Sequence, residues 1–345
     1  FAAFLLLLCP AARAQELVIA DSGKSDFRIV VAADATAAEK HAAAELRLFL
    51  KQMTGAELAV TDDAGEPSPR EILIGDSAHF RKLDVFGKID RGTLGREGYT
   101  LRTAAGPKGQ YLLILGASPR GTLYGVYGLL EDHLGCHWFT PAVSRIPSRP
   151  RLALGKLNQT VAPVLEYRGP FVVDCFEADW AARNRMNGRS ARLDDKHGGS
   201  VCFGAGLFCH TFDPLCPVGK YFDKHPEYFS LIDGKRVADP NNPDWGKRAQ
   251  LCLSNPNVLK IMIRRVKDYI RKHPEHAIYS VSQNDWRNPC QCAKCQALVK
   301  KYGGKESGIL IWFVNQVAEA VEKEFPDKYI GTLAYQYTRS APENI

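Results

Sequence analysis

A rhythm in the second half of the chain narrows its possible folds more than anything else in the sequence. "NPNVLKIMIRRVKDYIRKH" opens with Asn255 as a helix cap and Pro256 in the first turn, and it lines Leu259, Met262, Ile263, Val266 and Ile270 along one face. The apolar strand "AIYSVSQ" follows, then the helical "SGILIWFVNQVAEAVEKEF", then the strand "YIGTLAYQY". Strand, crossover helix and strand at this spacing make parallel βα units. The strand candidate "LEYRGPFVVD" and the helical "EADWAARNRMNG" begin the same rhythm earlier. The expected class is therefore α/β, with residues 164–345 forming a (β/α)8 TIM-type barrel, the expected catalytic part. It reads as truncated at the C-terminus, since a whole barrel needs roughly 250 residues.

Residues 15–150 follow another pattern. "FRIVVAA" reads as a buried strand, and Thr36 with Glu39 makes a capping box for a helix that Gly55 should stop. Further strands are expected at 57–60 and 71–76 and in "GYTLRTA" and "YLLILGA"; Ser118 and Pro119 then start a second helix that ends by Gly135. This spells a small α+β domain, a sheet backed by two helices. The Pro-rich, polar stretch 151–163 reads as a linker to the barrel.

At 345 residues, 45% hydrophobic and 24% charged, the chain can pack two domains and has no fibrous or disordered signature. The net charge of +7 is scattered, with no basic run interleaved with aromatics, so nucleic acid is not an expected partner. The apolar start followed by Ala12-Arg13-Ala14 reads as a partial signal peptide over 1–14, cleaved before Gln15, which implies a secreted or periplasmic protein. No later run reaches membrane-spanning length, no cofactor is expected, and the oligomeric state is left open.

The chemistry should sit where strands end, because the C-terminal rim is the open face of a parallel barrel. Asn284 and Asp285 occupy that place after "AIYSVSQ", with Trp286 as a platform for an apolar sugar face. Asp285 is a candidate catalytic carboxylate by this position; an acid there must hold a proton, which burial beside Trp286 would favour. The plainer alternative has Asp285 capping the next loop and Trp286 packing on the rim. His210 in "FCHTF" either binds a sugar hydroxyl or is satisfied by backbone groups. Glu177 is a spare carboxylate that faces the cleft or merely starts a helix, as does Asp179. Cys290, Cys292 and Cys295 form one C-x-C-x-x-C. Export favours disulfides, to Cys252, Cys209 or Cys216; the alternative is zinc on the three thiolates with Cys252 or a histidine as fourth ligand. A cysteine nucleophile is not expected, since no helix start or basic partner is evident to activate a thiol.

"SPRGTLYGVYGLLE" resembles a motif in the α+β domain that precedes the barrel in β-N-acetylhexosaminidases and α-glucuronidases. "YRGPFVVD" is similar to the first barrel strand of the hexosaminidases, which implies that Arg168 holds sugar hydroxyls and Asp174 lies near the strand end. "HTFDPLCPVGKYFDKHPEYFSLIDGKRV", "LCLSNP", "SQNDW" and "CQCAKC" together resemble an uncharacterised bacterial family grouped with these glycosidase-like proteins. The resemblance implies a carbohydrate substrate and hydrolysis of O-glycosidic bonds of a poly- or oligosaccharide. One departure stands out: the hexosaminidase Asp-Glu pair becomes Asn284-Asp285, which implies Asp285 as general acid, and Asn284 cannot supply the negative charge that steadies an oxazolinium-like intermediate. A two-carboxylate mechanism stays open, as does a non-catalytic carbohydrate-binding protein on the same scaffold.

Overall fold

The structure, a computed structural model, describes residues 16–239, 241 and 249–345. The signal-peptide expectation for 1–14 lies outside them. Two compact units meet in the sequence between Val201 and Cys202.

In the N-terminal unit, β1 (Leu17–Asp21) and β2 (Arg28–Val30) precede α1 (Ala37–Thr54), followed by β3 (Val60–Thr61), β4 (Arg70–Ile74) and α2 (Ala78–Leu83). Then come β5 (Tyr99–Gly106), β6 (Gly109–Gly116), α3 (Pro119–Gly128), β7 (His137–Trp138), β8 (Ser144–Arg145), β9 (Arg151–Leu154), β10 (Asn158–Val161) and α4 (Ala178–Arg183). The capping box at Thr36 and Glu39 forms, Gly55 closes α1 in the left-handed conformation, and Ser118 caps α3. A six-stranded mixed sheet runs β10-β5-β6-β4-β2-β3, parallel from β6 to β3 and antiparallel from β10 to β6. Alternation in β6 serves two cores. Leu112 and Ile114 join the apolar faces of α1 and α3, whereas Tyr111, Leu113 and Leu115 pack with Leu83 and Phe86 on the other side.

Two sequence expectations need revision here. The stretch read as a linker carries β9, antiparallel to β1, and β10, at the sheet edge beside β5. Leu152 and Leu154 close the core that Leu17 and Ile19 leave open, so burial overrides the Pro-rich flanks. Residues 165–174 carry no strand: Leu165, Phe171 and Val173 are exposed, and the segment ends in a 3-10 turn over Val173–Phe176.

The C-terminal unit contains α5 (Phe212–Leu215), α6 (Val218–Tyr221), the hairpin of β11 (Leu231–Ile232) and β12 (Lys235–Arg236), and α7 (Pro256–Lys272). β13 (Ile278–Ser280), α8 (Ala293–Lys301), α9 (Glu306–Glu322) and β14 (Tyr329–Gly331) complete it. Asn255 caps α7 and Pro256 opens it, as the sequence predicts. β13 and β14 pair in parallel, and Phe203 bridges to Ile278 in parallel on the same strand. Val258, Met262, Val266 and Ile270 of α7 pack with Leu310, Phe313, Val317 and Val321 of α9 in one core. The fold is mixed α/β, with βα units whose sheets are not closed among the described residues.

Candidate active site

The chain leaves β13 through four buried residues, Val281 to Asn284, and the next residue, Asp285, is exposed. Each buried residue is fixed from a neighbouring segment. Val281 N–H donates to Gly331 O at 2.8 Å, extending the parallel ladder, and Ser282 O accepts from Thr211 N and Phe212 N at 3.0 and 3.1 Å. Gln283 donates through Nε2 to Tyr335 O at 3.0 Å and accepts from Thr338 Oγ1 at 2.6 Å. The loops after both parallel strands are thereby tied together at their C-terminal ends.

Asn284 is the hub of this rim, 1% exposed. Its Nδ2 donates to Ala249 O at 2.8 Å, and its Oδ1 accepts from Asp213 N at 3.1 Å. Gln250 holds its backbone on both sides, accepting from Asn284 N at 3.1 Å and donating to Asn284 O at 2.8 Å. A side chain so placed positions the loop. Asp285 then projects outward, its Oδ1 accepting from Gln336 Nε2 at 2.9 Å. The burial beside Trp286 expected from the sequence is absent: Asp285 is exposed, while Trp286 is half-buried and tied by its carbonyl to Gln250.

His210 lies on the same rim, its Nδ1 2.9 Å from Gln283 O and its ring 5.6 Å from that of Tyr335. His210 and Gln336 both have left-handed backbones, φ 54° and 51°, which cost non-glycine residues energy and gather where the fold overdetermines a site. Gln336 and Tyr335 were missed by sequence reasoning, because nothing in "YIGTLAYQY" shows that the chain turns back toward residue 285. Glu306 was missed as well. Burial raises its proton affinity, but its cavity, shared with Tyr337, Gln250 and Cys295, holds about 20 Å³, room for one water and not for a sugar.

The remaining candidates lie in the N-terminal unit. Arg168 donates through Nε to Arg185 O at 2.7 Å, through Nη1 to Leu165 O at 2.5 Å, and through Nη2 to Glu97, a carboxylate 4% exposed. Glu97 also accepts from Arg120 Nε at 2.6 Å and from Asn187 Nδ2 at 2.8 Å. The guanidinium is thus spent on a buried ionic network. Glu177 caps α4, its carboxylate accepting from Trp180 N at 2.6 Å, so helix initiation is its observed role. Asp174 sits half-buried in the 3-10 turn before it.

The cysteines do not form the expected disulfides, but the four that the zinc alternative names, Cys252, Cys290, Cys292 and Cys295, lie together. Cys216, Cys252, Cys290, Cys292 and Cys295 are all free thiols. Cys252 Sγ lies 3.7 Å from Cys292 Sγ and 3.8 Å from Cys295 Sγ, whereas a disulfide needs about 2.05 Å. The disulfides expected for 290, 292 and 295 are corrected accordingly. With Cys290, these sulfurs all fall within 4.8 Å of one another. The expectation of no helix start here is corrected too, since Cys292 is the N-cap of α8. Hydrogen bonds from Cys290 and Cys295 drive the Cys252 thiol far below its ordinary range, and the bond to Cys252 takes Cys290 up to about 11.

Residues 138–345, more than half of the chain, match the family model described as Domain of unknown function (DUF4838). The chain belongs to the DUF4838 family. Residues 17–129 of this DUF4838 protein match the Glycosyl hydrolase family 67 N-terminus. No curated protein matches it. Among solved structures it is similar to a family GH115 4-O-methyl-α-glucuronidase, BtGH115A, with specificity for decorated arabinogalactans, at 14% identity and TM-score 0.47, covering 94% of this chain and 43% of that one. It is also similar to Streptomyces plicatus N-acetyl-β-hexosaminidase, at 15% identity and TM-score 0.38, covering 88% and 61%. The DUF4838 chain thus spans less than two thirds of either structure. No helix among its described residues is long and apolar enough to cross a membrane.

Proposed function

We propose that this DUF4838 protein is an exported glycoside hydrolase acting on O-glycosidic bonds of a poly- or oligosaccharide, with Asp285 as general acid. In this reading the C-terminal unit is part of a (β/α)8 barrel and the family 67-like N-terminal unit is its companion domain. The apolar run before Ala12-Arg13-Ala14 supports export. The observation that carries the proposal is the placement of Asp285: an exposed carboxylate at the C-terminal end of a parallel strand, aimed by Gln336 and held on a loop bolted down through Asn284. That is where βα folds place reacting groups. A bound sugar stacked on Trp286 would shut out water around the carboxyl, which an acid acting on a glycosidic oxygen needs. His210 is the neighbouring group suited to a sugar hydroxyl. A second carboxylate would complete either a retaining or an inverting pair.

One observation favours a non-catalytic carbohydrate-binding reading: the residue beside the acid is a neutral, buried amide committed to internal hydrogen bonds. A product screen by mass spectrometry on the full-length protein, over a broad glycan panel, separates the two. Hydrolysis is expected, and Asp285→Asn should lower it by about 10²-fold or more. Turnover unchanged in the variant removes Asp285 from the mechanism. Saturable glycan binding with no product from the folded wild type establishes the binding reading.

A further inference from the structure

Four cysteines of the C-terminal unit converge from two segments. Cys252 follows the strand-like bridge of Leu251 to Phe229, and Cys290, Cys292 and Cys295 run into α8. We propose that these four sulfurs hold one zinc ion in a closed tetrahedral site that clamps the end of the loop carrying Asp285. The inference stands independently of the glycosidase reading.

Three observations carry it. The first is spacing: a tetrahedral site with Zn–S bonds of about 2.3 Å has sulfur–sulfur edges of about 3.8 Å, and Cys252 Sγ lies 3.7 and 3.8 Å from the sulfurs of Cys292 and Cys295, with the whole set inside 4.8 Å. The second is completeness. Four thiolates fill the coordination sphere and leave no open position, the mark of a structural and not a catalytic zinc. The third is the surrounding shell. Leu231 N–H points at Cys290 Sγ from 3.3 Å, Arg236 Nη1 from 3.7 Å, and Ser254 Oγ lies 3.2 Å from Cys295 Sγ. A divalent ion with four thiolates is a dianion, and a guanidinium and an amide are the donors that offset such charge; the Ser254 hydroxyl, which accepts from Cys295 here, can turn and donate. Binding is balanced by release to solvent of the protons still held by these thiols.

The clamp acts on the candidate site through the chain. Gln250 grips residues 284 and 286, and two residues on, Cys252 would grip 290, 292 and 295 through the metal. Both ends of the 284–292 loop are then anchored to one short segment.

The test is metal analysis of the full chain, grown with ordinary zinc and purified without chelator. About one zinc per chain is expected, falling at least about fivefold in Cys252→Ser and in Cys295→Ser. Because either variant could misfold, wild-type protein grown in cobalt supplies a second readout: the visible d–d absorption of tetrahedral thiolate cobalt. Folded wild type lacking stoichiometric metal overturns the proposal. So does an intact mass that shows disulfides among the four, or stoichiometric iron in place of zinc.

Discussion

Asn284→Asp exchanges an amide for a carboxyl of the same shape, and the C-terminal unit should lose stability at neutral pH. The amide's orientation is fixed by its partners: Ala249 O can only accept and Asp213 N can only donate, at 2.8 and 3.1 Å. An ionised carboxyl at position 284 would set one of its oxygens against the Ala249 carbonyl at a site 1% exposed, losing a buried hydrogen bond worth about 1–3 kcal/mol and stranding a charge as well. The alternative is to take up a proton and keep the bond to Ala249. Holding that proton at pH 7 against an ordinary carboxyl pKa of about 3.9 costs about 4 kcal/mol, at about 1.36 kcal/mol per pH unit, and this caps the loss. The expected destabilisation is about 2–4 kcal/mol.

The sign of its pH dependence follows. The folded-state pKa is raised, so between about pH 4 and that raised value the folded variant binds more protons than the unfolded one, and its stability falls as pH rises. The gap to wild type should therefore shrink to no more than about 1.5 kcal/mol at pH 5. Urea unfolding followed by tryptophan fluorescence, at pH 7 and pH 5 with both proteins, measures it. A variant as stable as wild type at pH 7, or a gap that widens at pH 5, would refute the placement of Asn284.

Two further outcomes follow from the N-terminal unit. Glu97→Gln should lower stability by about 3 kcal/mol or more in thermal or urea unfolding, because Arg120 and Arg168 lose a shared buried counter-charge; a loss under about 1 kcal/mol would mean the network is not needed. Burial would push the Asp179 carboxyl up, but hydrogen bonds from Lys196 and His197 outweigh it and bring it down to about 2. Its contribution is then present above the unfolded pKa of about 3.9 and lost as pH falls through about 2, so the stability gap between wild type and Asp179→Asn should close over that window. A constant gap across it would show that the carboxylate is not held by those partners.

What the sequence determined by itself was local. Thr36 with Glu39, Gly55, Ser118 with Pro119, and Asn255 with Pro256 placed helix ends correctly, since a cap is settled by groups three or four residues apart. The rhythm of α7, β13, α9 and β14 was legible for the same reason, and it put Asn284 and Asp285 at a strand end. Only the tertiary structure decided what depends on partners far along the chain. "LEYRGPFVVD" has strand composition but carries no strand, whereas the Pro-flanked β9 and β10 pair with β1 and β5. Arg168 meets Glu97, 71 residues away. Gln336 reached Asp285 across 51 residues, and Cys252 completed the cluster by meeting Cys292 across 40. Spacing within a motif reports which side chains one turn or strand can bring together; which acceptor, counter-charge or fourth sulfur arrives from elsewhere is set by how the whole unit packs.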